Sequence, residues 1–237
     1  MTRNQKTLID RAASALGRNR SDFMIEAACQ EAESVLLDGR YFVHSEAEFK
    51  RFTAMLDKPP ASNPRLERLL RTKTPRGKVG HDEIQFSAPE KLAASHDVSQ
   101  FVCGEAALDT WLSRRALQNE QTGASRTLVL CAGHEIAGYY ALATGAIAHA
   151  ESAGLLKRNT LDPVPVIIIA RLAIAARFQG RGIGTTLRRD AVLCTIQAAE
   201  IAGIRAILVH AVSEQAKCFY EKQGFIPSPA DPMPRMN

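Results

Sequence analysis

Cysteine is scarce in this sequence and forms no pattern typical of a metal site or a disulfide framework. Five cysteines are spread over 237 residues without a Cys-x-x-Cys pair, which argues against zinc binding and against a stapled secreted fold. Isolated thiols of this kind are usually reduced, and either buried or incidental. We therefore expect a cytoplasmic protein without a metal site.

Long hydrophobic runs are also missing. No apolar stretch approaches the ~18 residues that a membrane-spanning helix needs, and the first ten residues, MTRNQKTLID, lack the apolar core of a secretion signal. We expect no membrane association. Hydrophobic residues still make up 46% of the 237 residues, which is enough for one domain with an appendage or for two small domains.

The net positive charge is unevenly distributed. Residues 1–80 contain 15 lysines and arginines against 10 aspartates and glutamates, whereas residues 81–237 contain 15 of each kind. Much of the excess lies in one basic run, which is opposed only by Glu67 and comprises Arg65, Arg68, Arg71, Lys73, Arg76 and Lys78. Such a run indicates contact with a polyanion or an acidic groove, or else a solvated linker.

Helical patterns dominate the first third of the chain. Apolar residues recur on one face of Gln5–Leu16, and Gly17 supplies a C-cap signal. Ser21 is the expected N-cap of a second helix that runs to about Leu37. Two helices of this size bury too little surface for a stable monomer, so we expect them to dimerise or to dock onto the rest.

A second group of short elements follows. Tyr41–Val43 is an extended piece, and Ser45 with Glu48 has the spacing of a capping box that opens a third helix. That helix carries the apolar side chains of Phe49, Phe52, Met55 and Leu56. Pro64 starts a short helical turn, and the basic tether after it leads to a domain boundary near residue 80.

The stretch from Val164 to Arg189 organises the second domain. An apolar run ending at Ile174 predicts a central strand, and the helix Thr185–Ala199 follows a glycine turn. The turn consists of Gln179, Gly180, Arg181, Gly182, Ile183 and Gly184. Glycines allow backbone N–H groups to approach a ligand, and a helix N-terminus favours a pyrophosphate. The alternative is a tight turn that only packs a helix on a sheet.

The remaining patterns after residue 81 are those of an α/β domain. An amphipathic helix from Glu105 to about Gln118 carries Arg114 and Arg115, which either complement the helix C-terminus or contact a nucleic-acid backbone. Two hydrophobic runs predict a hairpin with an exposed His134 at its tip. A strand, a helix capped by Ser213 and a last extended segment complete the chain; their ranges are Arg205–His210, Glu214–Gln223 and Phe225–Pro227.

The glycine turn, with its spacing Gln-x-x-Gly-x-Gly, resembles the acyl-CoA signature of the GNAT N-acetyltransferases. This resemblance implies a mixed sheet flanked by helices, a coenzyme A pyrophosphate held by Gln179–Gly184, and oxyanion contacts from the backbone of Leu172, Ala173 and Ile174. The segment Ala216–Phe225 looks like the part of these enzymes in which a tyrosine faces the thioester sulfur, which assigns the catalytic role to Tyr220.

Further motifs resemble one GNAT subfamily across nearly all of residues 81–237. They are Phe101-x-Cys103-Gly104, Leu108-Asp109-x-Trp111-Leu112, Gly138–Leu142, Arg171-Leu172-Ala173 and Phe225–Pro229. Members of this subfamily are toxins that acetylate the amino group of aminoacyl-tRNA with acetyl-CoA. They usually continue into a closing strand, whereas this sequence stops at Asn237, soon after Met233.

The first 72 residues resemble the antitoxins with ribbon-helix-helix heads that accompany such toxins. The matching segments are Leu8–Ala13, Ser21–Phe23, Ala27–Glu33 and Leu56–Pro64. The resemblance implies a homodimer, operator DNA as a partner, and a helical arm that neutralises the toxin. Only Met1–Asn4 precede the first helix, so the DNA-reading strand is expected to be shortened.

Together these patterns predict an acetyltransferase toxin for aminoacyl-tRNA, fused to its own inhibitor. We expect residues 1–80 to form a small all-α antitoxin-like domain and arm, and residues 81–237 to form the α/β GNAT domain. Phe49, Phe52 and Leu56 are the expected anchors of an intramolecular contact. Two alternatives stay open: an acetyltransferase for a small-molecule or protein amine, and a DNA-binding autorepressor with a weakened enzyme domain.

Overall fold

The structure is a computed structural model, and it describes residues 1–59, 62–72, 77–79, 82–150, 162–209, 211 and 214–228. Within these residues no helix is long and apolar enough to cross a membrane. The prediction of an α/β domain preceded by a helical segment is confirmed. The domain boundary near residue 80 stays a prediction.

The N-terminal segment contains four helices and one strand. They are α1 (Arg3–Ala15), α2 (Arg20–Leu37), β1 (Tyr41–His44), α3 (Glu46–Leu56) and α4 (Pro64–Arg71). The capping box at α3 is confirmed, because the Ser45 side chain accepts from the Glu48 N–H and the Glu48 carboxylate accepts from the Ser45 N–H. A small antiparallel hairpin follows, β2 (Gly77–Val79) with β3 (Asp82–Ile84).

The α/β part alternates strands and helices. Its elements are β4 (Glu90–Lys91), α5 (Ala106–Trp111), a π-helical segment (Leu112–Ala116), α6 (Leu117–Thr122), β5 (Arg126–Ala132), β6 (Glu135–His149), β7 (Val164–Ile174), a 3₁₀ turn (Ala176–Phe178), α7 (Ile183–Ile201), β8 (Ala206–Val209) and α8 (Glu214–Glu221). The central strand and the β5–β6 hairpin with exposed His134 are confirmed.

One mixed sheet runs through both parts of the chain. Its order is β4-β5-β6-β7-β8; neighbours are antiparallel except for the parallel pair β7–β8. The β5–β6 ladder ends where Arg126 faces Leu142, although β6 continues to His149. Strand β1 fills this vacated edge and pairs with β6 in parallel, Tyr41 facing Ala146 and His44 facing His149. The N-terminal segment therefore adds a strand to the α/β sheet.

Two buried clusters hold the fold together. The larger one packs the sheet against α5 to α7 and includes Trp111, Tyr139 and Leu187. The smaller one joins the N-terminal segment to the sheet: Phe49 and Phe52 of α3 are buried against apolar strand residues, namely Ile147, Val164, Val166, Ile168 and Ala170. Leu56 packs at its edge. The three predicted anchors therefore contact the sheet.

Several predicted boundaries were wrong. Ser21 does not cap α2, because the helix begins at Arg20 and the Asn19 side chain accepts from the Asp22 N–H at 2.8 Å. The helix expected to end near Gln118 contains a π-helical segment and ends at Thr122, before left-handed Gly123. Helix α7 starts at Ile183 rather than Thr185, since Gly182 is its N-cap.

Two of the three elements predicted near the C-terminus are present in the described residues. Phe225–Pro227 forms no strand with the described residues. Strand β8 is present from Ala206, and α8 ends at Glu221, followed by a turn to left-handed Gly224. The predicted cap Ser213 and the strand end His210 lie outside the described residues.

Candidate active site

The central strand β7 has an open edge at its C-terminal end. Strand β8 pairs with β7 only from Val166 to Ile169, whereas β7 continues to Ile174. No other strand in the described part of the chain pairs with this edge. The predicted oxyanion residues Leu172, Ala173 and Ile174 lie on this stretch. Among the described residues, the backbone groups here that point away from β6 have no strand partner and could bind an extended ligand, except that the Ile174 carbonyl accepts from Gln179.

The glycine turn directly follows this edge. Gly180 (φ 74°) and Gly182 (φ 81°) adopt the left-handed conformation, which other residues adopt at a cost. Gly182 is the N-cap of the 19-residue helix α7, and no side chain caps that end. The first N–H groups of a helix have no intrahelical partner, so the amides of Ile183 and Gly184 are available to an anion.

Arg181 adds a charged donor to the same turn. Its side chain is half-buried beside the Phe178 ring, at 5.9 Å from the centroid. The Nη1 atom of Arg181 is buried and has no hydrogen-bond partner among the described residues. Leaving such a donor unsatisfied is costly, so the turn fits an anionic ligand that accepts from Arg181.

Gln179 has a structural task in this turn. Its side-chain amide donates to the Cys103 carbonyl at 2.9 Å and to the Ile174 carbonyl at 3.1 Å. These bonds tie the end of β7 to the turn and to the loop before α5. Both amide hydrogens are thereby used, and the backbone N–H of Gln179 donates to the Ala176 carbonyl at 3.3 Å, so Gln179 has no N–H group left for the predicted cofactor contact.

Tyr220 lies on α8 and is buried between two aromatic rings. Its ring meets those of Phe219 and Phe225 edge to face, at centroid distances of 5.4 and 5.6 Å. Burial raises the pKa of the Tyr220 phenol to about 12, against the opposing charge of Arg188. The phenol therefore keeps its proton at neutral pH, as a general acid must.

Arg188 is a buried residue of the site that sequence reasoning missed. Its guanidinium lies over the Phe219 ring at 4.1 Å and donates to Thr185 Oγ1 at 3.3 Å. Burial lowers the pKa of Arg188 to about 10. The available signal was an arginine on the apolar face of α7, four residues after Gly184 and three before Ala191.

The N-terminal segment lies across the two helices of the site. The Asn63 side chain accepts from the Leu66 N–H at 3.1 Å, capping α4, and donates to the Gly224 carbonyl at 3.0 Å. Arg65 donates to the Glu221 carbonyl at 3.0 Å. Arg189 of α7 donates to the Leu70 carbonyl at 2.8 Å. Helix α4 is therefore fastened to α7 and to the end of α8, just after Tyr220.

The structure describes the side chains of only three members of the basic run. Arg65 contacts α8, and Arg68 and Arg71 are exposed. Lys73 and Arg76 lie outside the described residues, as does the side chain of Lys78. Arg114 is exposed on the π-helical segment, whereas Arg115 pairs with two carboxylates of the N-terminal segment, Glu31 and Asp38. Neither role predicted for Arg115, at a helix end or on a nucleic acid, describes these contacts.

One cluster elsewhere has metal-ligating residue types. Ligand atoms of Glu90, His96 and Cys131 lie within 4.8 Å of one another. However, His96 Nδ1 accepts a hydrogen bond from the Ala93 N–H at 3.0 Å, which places the ring proton of a neutral His96 on Nε2, 3.5 Å from Glu90. We therefore interpret the contacts of His96 with Ala93 and Glu90 as a structural hydrogen-bonded group.

The fold is that of a GNAT acetyltransferase. The sequence profile described as "Acetyltransferase (GNAT) domain" matches residues 123–227, and that of "Antitoxin TacA 1-like" matches residues 1–74. A curated relative from Mycobacterium tuberculosis, named tRNA-acetylating toxin, is 47% identical over 148 residues, which are 62% of this chain and 89% of the relative. Antitoxin TacA1 of Salmonella typhimurium is 44% identical over 70 residues, 30% of this chain and 74% of the antitoxin.

Solved structures of AtaT also resemble the chain. AtaTR bound with acetyl-CoA is 31% identical with a TM-score of 0.55, covering 60% of this chain and 86% of that one. AtaT complexed with acetyl-methionyl-tRNAfMet is 29% identical with a TM-score of 0.53, covering 60% and 88%. The chain therefore belongs to the GNAT toxins of toxin–antitoxin systems, and it carries a TacA-like antitoxin in the same polypeptide.

Proposed function

We propose that the protein uses acetyl-CoA to acetylate the α-amino group of aminoacyl-tRNA, that this blocks translation, and that residues 1–80 inhibit the enzyme in cis. The observation that carries the enzymatic part is the open edge of β7, which leads into an uncapped glycine turn. The substrate class is supported by relatives that are named as acetylating tRNA or have been solved with an acetylated aminoacyl-tRNA.

The turn and the strand edge have separate binding roles in this proposal. The amides of Gly180, Gly182, Ile183 and Gly184 hold the pyrophosphate of coenzyme A together with Arg181, and Gln179 fixes the turn through its side-chain hydrogen bonds. When bound, acetyl-CoA supplies a thioester whose carbonyl carbon is open to an amine. The backbone N–H groups of Leu172–Ile174 stabilise negative charge on that carbonyl oxygen.

Proton transfer falls to Tyr220. A free α-amino group titrates near ~7.7–8.0, so part of it is neutral at physiological pH and a strong protein base is not required. The amine nitrogen loses one proton as the C–N bond forms, and the sulfur gains one as the C–S bond breaks. The Tyr220 phenol, which burial keeps protonated with a pKa of about 12, gives its proton to the sulfur and regains one that originates from the amine. A positioned general acid of this kind contributes ~10²–10⁴-fold to the rate.

The inhibitory part of the proposal follows from the docked arm. Phe49 and Phe52 fix α3 on the sheet, and Asn63 fixes α4 against the turn after Tyr220. A tether that fits its span keeps an inhibitory segment at an effective concentration of ~mM. The intact chain is therefore expected to be largely inactive until the arm is displaced.

Helices α1 and α2 support a homodimer as a further part of the proposal. Five of their large apolar side chains are exposed in the single chain, namely Leu8, Met24, Ile25, Val35 and Leu36, and so is Leu16 at the C-cap of α1. An apolar surface of this kind is typical of a self-association face. No strand is described within residues 1–40, so operator binding by a strand is not part of the proposal.

The test compares the intact chain with a chain lacking residues 1–78, each with Tyr220 and with Tyr220→Phe. Calorimetry should detect acetyl-CoA binding to the shortened chain with either residue at position 220. Acetylation of charged tRNA should fall by ~10²–10⁴-fold in Tyr220→Phe. If no chain binds acetyl-CoA, the enzymatic proposal fails; if small amines are acetylated and charged tRNA is not, only the substrate class fails.

A further inference from the structure

A buried arginine lies on the central strand, one residue before the proposed oxyanion stretch. The Arg171 side chain is only 1% exposed, and its guanidinium stacks over the Trp111 ring at 4.4 Å. Trp111 in turn stacks on Tyr139, with centroids 5.9 Å apart and planes inclined by 13°. The Tyr139 hydroxyl donates to the Leu108 carbonyl at 2.9 Å. The Arg171 guanidinium is therefore held against the stacked rings of Trp111 and Tyr139.

The anion facing Arg171 comes from the antitoxin-like segment. Asp38, in the loop between α2 and β1, places Oδ1 at 2.8 Å from Arg171 Nη1. Arg115 reaches the other oxygen of the same carboxylate at 3.4 Å and pairs with Glu31 at 2.7 Å. Two arginines of the acetyltransferase part thus converge on one carboxylate of the segment.

The space around this ion pair contains unused polar groups. A cavity of about 10 Å³, lined by Asp38, Trp111, Asn119, Ser125 and Arg171, has room for roughly one water molecule. Trp111 Nε1 and Ser125 Oγ are buried and have no hydrogen-bond partner among the residues that the structure describes. Since buried donors are normally satisfied, the pocket offers more donors than the Asp38 carboxylate uses.

We propose that this pocket binds a phosphate of the acceptor RNA, and that Asp38 occupies it in the intact chain as a substitute anion. The inference rests on the proposed function, because it takes aminoacyl-tRNA as the acceptor. A phosphodiester with its neighbouring ribose hydroxyls presents more acceptors than one carboxylate, which suits the unused donors. Arginine also binds phosphate oxygens through two parallel N–H groups.

The position of the pocket fits a role in placing the acceptor. Arg171 is adjacent to Leu172 in β7, and one strand residue advances the chain by ~3.3 Å. A phosphate at Arg171 therefore lies close to the backbone that would hold the thioester oxygen. A buried arginine favours a nearby anion, so displacement of Asp38 removes a negative charge that an incoming phosphate replaces.

The test measures binding of uncharged tRNA to the intact chain by fluorescence anisotropy. In Asp38→Asn the competing charge is removed, and the affinity for tRNA should rise by about tenfold or more. Asp57→Asn is the matched control, since Asp57 forms another ion pair between the segment and the α/β part, with Arg205 at 2.8 Å. Its effect should stay within about twofold because the pair is exposed. Equal effects of both variants, or no effect of Asp38→Asn, would overturn the proposal.

A second pair of variants separates a specific site from general release of the arm. In the Asp38→Asn background, Arg171→Lys keeps the charge but loses the paired donors and the flat stack, and should abolish most of the gained affinity. Arg205→Lys in the same background should preserve the gain. Thermal unfolding checks that both double variants are folded. A gain that survives Arg171→Lys would show that the phosphate does not bind at Arg171.

The binding assay also distinguishes this site from the proposed reaction, because uncharged tRNA cannot be acetylated on an amino acid. If the ranking of variants holds but charged tRNA is never acetylated, the assignment of the reaction fails and the phosphate site stands. If charged tRNA is acetylated but the affinity for tRNA is the same in the Asp38 and Arg171 variants as in the wild type, the phosphate site fails and the proposed reaction stands.

Discussion

The first half of the antitoxin-like segment contains α1 and α2, and the second half contains α3 and α4. Both halves carry large apolar side chains on helices, but these are exposed in the first half and buried in the second. In α1 and α2, Leu8 is 68% exposed and Ile25 is 63% exposed, whereas Phe52 of α3 and Leu69 of α4 are each 1% exposed. The second half covers apolar residues of the sheet, and the first half leaves its own apolar residues uncovered. An amphipathic pattern therefore predicts that a face will be buried without saying against what.

Strand β1 marks the change from one half to the other. It occupies an edge of β6 that β5 leaves free, in the manner of a peptide that adds a strand to a sheet. Its last residue, His44, is buried, and the next residue caps α3. Backbone pairing with the sheet and burial against it thus begin in this strand, and inhibition should depend mainly on the elements after residue 40, with Asp38 just before them occupying the pocket at Arg171.

The largest effect on this difference should come from Phe52→Ala. Truncating a buried phenylalanine costs about 3–5 kcal/mol, which would loosen α3 from the sheet and raise the acetylation rate of the intact chain. Ile25→Ala is the control, since that apolar side chain is exposed and its loss should change stability by less than about 0.5 kcal/mol. Rates on charged tRNA and thermal unfolding measure both. Equal rates for the two variants would mean that the docked half does not inhibit.

A smaller effect is expected from Asn63→Ala. This change removes the cap of α4 and the bond to the Gly224 carbonyl, at a cost of about 1–2 kcal/mol. Acetylation should increase less than in Phe52→Ala. Ser62→Ala, next to it and exposed, should leave the rate as it was. An unchanged rate in Asn63→Ala would show that α4 does not restrain the site.

The pH dependence of folding stability should depend on a residue of β1, His44. Burial lowers the pKa of His44 below its ordinary value of 6.5, so the unfolded chain takes up a proton before the folded chain does. Stability is therefore full above pH 6.5 and decreases as the pH falls below it. Thermal unfolding at pH 7.5 and 5.5 should show this loss, and His44→Gln should reduce it. Replacing the exposed His134 by glutamine should leave this loss of stability unchanged. If the loss at pH 5.5 persists in His44→Gln, another group causes it.

The smallest effect on inhibition should come from Leu8→Ser. Because Leu8 is exposed in the single chain, its replacement should leave the acetylation rate unchanged while weakening self-association. Light scattering after size-exclusion chromatography measures the oligomer. A wild-type monomer would contradict the proposed dimer, and a changed rate in Leu8→Ser would link the two halves.

Local chemistry made much of this structure predictable. Ser45 and Glu48 specify a helix start through their own hydrogen bonds, and the run ending at Ile174 followed by glycines specifies a strand, a turn and a helix. The same segment identified the candidate cofactor site, although the roles of its residues stay predictions. The wrong start of α2 arose because Asn19 and Ser21 are both good caps and lie two residues apart.

Contacts between distant residues were not predictable in the same way. The extended piece at Tyr41 carries no signal that its partner is β6, because a sheet edge is created only when β5 ends early. Likewise, Asp38 and Arg171 are 133 residues apart, and no pattern around either residue indicated the other as its partner. Arg188 was missed because a charged residue in a helix is usually on the solvent side.

The most direct test of the account is the growth of cells that express the intact chain, the chain without residues 1–78, and that shortened chain with Tyr220→Phe. We expect the shortened chain alone to arrest growth, because the arm that covers α7 and α8 is gone and the general acid remains. Equal growth with the intact and the shortened chain, at equal protein levels, would contradict inhibition in cis.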